Sequence, residues 1–270
     1  MKSLKWLVLA VAVLMLAALA TGCGGSKDNE QKDTSTQQPA AKQKIIVGSD
    51  TTFAPLEFAD EKGNYVGFDV DLINEIAAVE NLEVEFRSMP FDGLIAGLVA
   101  NQIDVAISSM SITEKRKESI DFSEPYYKSG LIVAVQAKND TVKSIDDLTG
   151  KSIAVQSGTT GEAEAKKVAG ATVRSFTNSD QTFMELKNGG VTAVINDYPV
   201  TQYFIKQGNS DVKMVGERLS SEDYGIALPK GKTDLLNKIN HGLKELKNNG
   251  KYKELYMKWF GEEPPQELLQ

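Results

Sequence analysis

Short apolar runs alternate with segments of helical period along most of this chain, and that alternation restricts the fold more than any other feature. The run at 45–49 is followed by Leu72, Ile73, Ile76 and Ala77 at helical spacing. A second run at 84–86 precedes a helix expected over 92–100, with Leu94, Ile95 and Leu98 on its inner face, and a third run follows at 103–107. The order β-α-β-α-β specifies a mostly parallel sheet flanked by helices. A continuous apolar strand at 131–135 restarts the pattern, which continues through runs at 153–155, 173–176 and 191–195 and helical segments through Ala163, Ala165 and Val168 and over 181–187. Two α/β units are therefore expected. A last apolar strand at 224–229 leads into two amphipathic helices, one carrying Leu235, Leu236, Ile239, Leu243 and Leu246, the other Tyr252, Leu255, Tyr256 and Trp259.

Ligands of open α/β sheets sit beyond the carboxyl ends of the strands, and polar residues gather at those points here. Asp50 and Phe53 follow the first run; a turn cap and a core aromatic are their alternative roles. Ser108, Ser109, Ser111 and Thr113 follow the third, supplying four hydroxyls within six residues, and Arg116 adds a planar fork suited to a carboxylate. The loop 156–161, QSGTTG, opens a helix whose first N–H groups lack intrahelical partners; it is a dipole site or a cap, and its spacing is not that of a phosphate loop. Asn196 and Asp197 end another strand, where Asp197 either meets an ammonium or caps a helix expected over 199–207. Asp69 is the expected N-cap of the first helix. His241, the one histidine, falls off the apolar stripe of its helix, so no metal site and no cofactor are expected.

The first residues read differently. Lys2 and Lys5 precede an apolar run over 6–20 that is short for a membrane span, which marks 1–22 as a signal peptide. Ala20, Thr21, Gly22 and Cys23 resemble a bacterial lipobox, and a lone cysteine at that place points to lipid attachment. Residues 24–44 hold no large apolar side chain and are expected to form a flexible tether behind the lipidated Cys23. An excess of 37 acidic over 30 basic residues argues against nucleic acid as a partner. Beyond the leader no long apolar run occurs, so a transmembrane partner would be another chain.

Eight ordered motifs carry a resemblance over 45–261: GSDTTFAPLEF (48–58), YVGFDVDL (65–72), ISSMSITEKRK (107–117), IDFSEPYYKSGL (120–131), AVQSGTTG (154–161), INDYP (195–199), YGIALPKG (224–231) and YKELYMKWFG (252–261). The chain resembles the bacterial extracellular solute-binding proteins of family 3, the polar amino-acid-binding proteins of ABC importers, and the glutamine-binding and basic-amino-acid-binding members in particular. The resemblance implies a two-lobed, type II periplasmic-binding-protein clamp. Its first lobe would span 45–125 and 225–262, its second 131–220, with hinge crossovers at 126–130 and 221–224.

The resemblance also assigns roles. Arg116 would hold the ligand's α-carboxylate, with Ser108, Ser109 and Ser111 beside it and Thr159 and Thr160 opposite, while Asp197 would take the α-ammonium. Phe53 and Phe91 would sandwich the aliphatic part, and Asp50, Gln156 and Asn196 would face the side-chain end. Asp50 disfavours an acidic ligand. Glutamine is the first expectation and arginine or lysine the alternative, because Gln156 and Asn196 stand where glutamine binders can carry Lys and His. The implied protein is a monomer, anchored outside the cytoplasm through Cys23, that delivers a free amino acid to a membrane permease. It is not expected to be an enzyme: no nucleophile, base and orienting group assemble, and Glu57 would serve as a general acid only with a raised pKa.

Overall fold

A computed structural model describes residues 42–269; the expected signal peptide, Cys23 and all but the end of the tether lie outside them. Two five-stranded sheets organise the described chain, and both follow one plan. In the first, Gln43–Ser49 pairs in parallel with Leu82–Ser88 along its whole length, from Gln43 opposite Leu82 to Ser49 opposite Ser88, and on its other side with Val105–Ala106. Ala227–Pro229 then runs antiparallel between Val105–Ala106 and Ile120–Phe122. In the second sheet, Ser152–Gln156 lies between Thr172–Phe176 and Ala193–Asp197, all parallel, and Leu131–Gln136 runs antiparallel beside Ala193–Asp197 with Val212–Val215 at its edge. The sequence-predicted alternation is present, with one reversed strand in each sheet. Reversal follows from connectivity: each reversed strand enters from a crossover between lobes, not from a helix of its own sheet.

The sheet faces explain the apolar runs. Residues 131–135 are buried throughout, as a central strand covered on both faces requires. Helix Phe68–Val79 buries Leu72, Ile73, Ile76 and Ala77, and Thr233–Asn248 buries Ile239, Leu243 and Leu246 against it. Two helices move by one residue from expectation, 92–100 being found as Phe91–Val99 and 199–207 as Tyr198–Lys206, while the helix expected through Val168 spans Thr160–Ala165 and leaves Val168 beyond its end. The first strand begins at Gln43, inside the stretch expected as tether.

Two expectations change more. Asp69 is not the cap of Phe68–Val79; Gly67 holds that position at φ 135°, where an added Cβ would lie 2.0 Å from the Leu56 carbonyl oxygen. The apolar run 224–229 splits, because Ser123 Oγ accepts the Ile226 N–H and interrupts the ladder. Tyr224 then belongs to Glu222–Tyr224, which pairs antiparallel with Tyr127–Ser129 as a two-stranded ribbon between the sheets. The ribbon is packed in aromatics: Tyr127 stacks on Tyr224 at 5.5 Å and on Tyr256 at 5.6 Å, and Tyr252 donates to the Tyr126 carbonyl at 2.7 Å.

Candidate functional site

The carboxyl ends of strands from both sheets point at one cavity. Eleven of the twelve residues nominated from sequence line it: Asp50, Phe53, Phe91, Ser108, Ser109, Ser111 and Arg116 from the first lobe, Gln156, Thr159, Thr160 and Asp197 from the second. Asn196 does not; its amide donates to Ser179 Oγ at 3.0 Å inside the second lobe. Alternation explains the miss, since neighbours on one strand face opposite ways and Asp197 has the cavity side. Glu57, left out of the sequence-based site, is the twelfth lining residue.

The serine cluster holds acid groups, but they are the protein's own. Ser108 Oγ accepts the Asp50 N–H at 2.9 Å and donates to Glu57 at 3.0 Å, and Ser109 Oγ donates to the other Glu57 oxygen at 3.0 Å. Ser109 sits at φ 49°, which turns its N–H onto Asp69 Oδ2 at 2.9 Å; Tyr126 donates to the same oxygen at 2.7 Å. Thr113 stands apart as the N-cap of Glu114–Lys117, accepting the Arg116 N–H at 3.2 Å.

Arg116 is held by geometry rather than by an ion pair. Its guanidinium donates to the Ser111 carbonyl at 2.7 Å and, across the cleft, to the Gly158 carbonyl at 3.1 Å, with its carbon 5.2 Å from the centre of the Phe91 ring. Among the described residues no carboxylate lies within 4.0 Å of it, so a desolvated cation keeps donor capacity for an incoming acid group. Burial lowers its pKa, while Glu222 and Asp197 favour the charge.

Asp197 occupies the N-cap position of Tyr198–Lys206 but makes no side-chain cap bond. Its Oδ1 accepts instead from the Tyr224 hydroxyl at 2.5 Å and from Ser129 at 3.2 Å, so its carboxylate is turned to the cavity and the ribbon. Burial, then the charge of Glu222, pushes its pKa up to about 7 against the pull of those hydroxyls and of Arg116. Thr159 is a true cap, accepting the Glu162 N–H at 3.1 Å.

The opposite end of the cavity is acidic. Asp50 Oδ1 takes the Thr52 N–H and hydroxyl at 3.0 and 2.6 Å; Oδ2 takes the Phe91 N–H at 3.2 Å and, from the second lobe, the Gln156 amide at 2.6 Å. Burial raises the Asp50 pKa despite these donors, and raises Glu57 well above the usual carboxylate range with help from the charge of Asp69. Asp69 itself is pushed up to about 7 by burial. Neither Asp50 nor Glu57 has a cationic partner among the described residues. The signal for Glu57 was present, a lone acid between Leu56 and Phe58 in an apolar run. The model of the bacterial extracellular solute-binding proteins, family 3, matches residues 45–262. The chain belongs to that family.

Its relatives bind amino acids. The arginine-binding periplasmic protein of Mannheimia haemolytica is 37% identical over 228 residues, 82% of this chain and 93% of the relative. Two solved structures of an ancestral arginine-binding protein, one bound to arginine and one to glutamine, are each 47% identical with a TM-score of 0.79. Each covers 82% of this chain, with 100% of the arginine-bound chain and 99% of the glutamine-bound chain matched. As a family member the chain is an amino-acid-binding protein of an ABC transporter, working outside the cytoplasm.

Proposed function

We propose that the protein captures a free amino acid with a cationic side chain, arginine foremost, by closing its two lobes, and hands it to the membrane permease of an importer. The observation that carries this reading is the pair Asp50 and Glu57, two buried carboxylates on the cavity wall with no cation of their own. A zwitterion's acid group would meet Arg116 and its ammonium Asp197. That leaves the side chain facing Asp50 and Glu57, where a guanidinium supplies the positive charge they lack and further donors for Glu57, whose two oxygens each accept one serine hydroxyl. Glutamine, the first expectation from sequence, brings an amide that can donate to one acid but no charge to offset the two. Glutamate brings a third acid. The identity to arginine-binding relatives supports the same choice.

In this reading Asp50, Phe53, Glu57, Phe91, Ser108, Ser109, Ser111, Arg116, Gln156, Thr159, Thr160 and Asp197 form the ligand site, and the segments 126–130 and 221–224 are the hinge between a lobe of 45–125 with 225–262 and a lobe of 131–220. Residues 1–22 would direct export, and lipidated Cys23 with its tether would keep the clamp at the membrane. A thermal-shift screen of the twenty amino acids tests the ligand, since a ligand at a thousand times its Kd stabilises by about 4.1 kcal/mol. Arginine should give the largest shift, and a larger one for glutamine would reverse the choice. Mass spectrometry of the mature chain from membranes tests Cys23: a diacylglyceryl mass on that residue is expected, and an unmodified thiol would remove the anchor.

A further inference from the structure

Glu222 stands in the ribbon strand Glu222–Tyr224, outside the ligand cavity, yet both lobes bind its side chain. Its Oε2 accepts from the Ser111 hydroxyl of the first lobe and from the Thr160 hydroxyl of the second, the latter at 2.9 Å, and its Oε1 accepts from Ser220 at 2.8 Å. Ser111 and Thr160 line the ligand cavity and also an open surface groove on their outer side, which Glu222 lines with Lys117 and Lys230. The bridge hydroxyl–carboxylate–hydroxyl is thus part of the wall between the cavity and that groove. A carboxylate that accepts from two hydroxyls makes charge-assisted bonds stronger than neutral ones. Both bonds cannot survive separation of the lobes, because the two donors belong to opposite sides of the cleft.

We propose that Glu222 is the latch of the closed state, a single carboxylate oxygen shared by Ser111 and Thr160 that holds the lobes together and seals the cavity from the groove. Its place in the ribbon suits this role, since the strand that carries it is where the chain crosses between lobes and so stays within reach of both while they move. The attraction between Glu222 and the buried Arg116 guanidinium adds to the closed arrangement. The proposal rests on the reading of the chain as an amino-acid-binding clamp, and is indifferent to which amino acid it holds.

The test compares wild type, Glu222→Gln and Glu222→Ala as full chains. Glu222→Gln removes the charge at nearly constant volume, and Asp223→Asn, which removes the neighbouring charge of the same ribbon strand while leaving every donor on Glu222 in place, is the control. Two quantities are read: the radius of gyration by small-angle scattering without added amino acid, and arginine release by stopped-flow fluorescence. The latch predicts a larger radius for both Glu222 variants and release faster by about tenfold or more, with the association rate nearly unchanged and Asp223→Asn close to wild type. Unchanged radius and release would overturn it. Slower release would also overturn it, showing that Glu222 competes with the ligand for the two hydroxyls. If wild type binds no amino acid, the proposed function fails, while the scattering comparison still decides the latch.

Discussion

The first lobe supplies eight of the cavity's twelve lining residues and the second four, and the two sets are held differently. First-lobe groups are bonded to one another: Ser108 and Ser109 to Glu57, Asp50 to the Ser108 hydroxyl and the Phe91 N–H. Second-lobe groups sit at the starts of helices, Thr159 and Thr160 at that of Thr160–Ala165 and Asp197 at that of Tyr198–Lys206, and several reach across the cleft. Gln156 donates to Asp50, Thr160 to Glu222, and the Gly158 carbonyl accepts from Arg116. In the proposed clamp, one lobe would then be a prebuilt half-site that the other completes when the lobes close. Mutations in the first should change which ligand binds; those in the second should change how well the lobes stay closed around any ligand.

Arg116 belongs to the first set yet bonds to the second, so its loss should be the largest. Arg116→Ala is expected to cost on the order of 2–5 kcal/mol for every amino acid tested. Calorimetric affinity equal to wild type would take Arg116 out of the site. Asp197→Asn comes next, at roughly 2 kcal/mol, because an ammonium would lose its charged partner in a buried position. The same residue sets a pH dependence. Its folded pKa, raised to about 7, means that a ligand ammonium must find it ionised, so affinity should fall by about tenfold per pH unit below that value. Folding stability responds with the opposite sign: the folded chain holds a proton that the unfolded chain loses near 3.8, so this contribution is full below 3.8 and is lost as pH rises towards about 7. Urea titrations of wild type and Asp197→Asn between those pH values should diverge accordingly, and parallel curves would remove Asp197 as the titrating group.

Glu57→Gln sharpens the comparison from the other side. Arginine should weaken by about tenfold while glutamine changes little, since the first-lobe acid that matches a cation becomes neutral. Equal losses for both ligands would make Glu57 a structural acid only. The smallest effect belongs to Gln156→Ala, which removes one second-lobe bond to Asp50 and should cost about 1 kcal/mol without altering the order of ligands. A change of order there would break the division between the lobes.

Much of this was legible in the sequence, for identifiable reasons. Strand runs such as 131–135 are buried on both faces and so show as unbroken apolar stretches, and residues just past strand ends, Asp50 or Asp197, are exposed to the cavity by topology alone. Groups whose role depends on long-range partners were not legible. Asp69 reads locally as a cap and is instead bound to Ser109 and Tyr126, 40 and 57 residues away. Glu222 lies in a polar stretch that carries no periodic signal, and its partners Ser111 and Thr160 are 111 and 62 residues distant. Asn196 was misplaced because one residue along a strand turns a side chain to the other face.

An acidic cavity end that selects a cationic side chain, as proposed, sets an order of affinities among ligands. Calorimetric titration of the wild-type chain with arginine, glutamine and glutamate at one pH near 7 addresses it most directly. Arginine is expected to bind tighter than glutamine by about tenfold or more, with no measurable glutamate binding. Glutamine binding as tightly as arginine, or any glutamate binding of comparable strength, would contradict it.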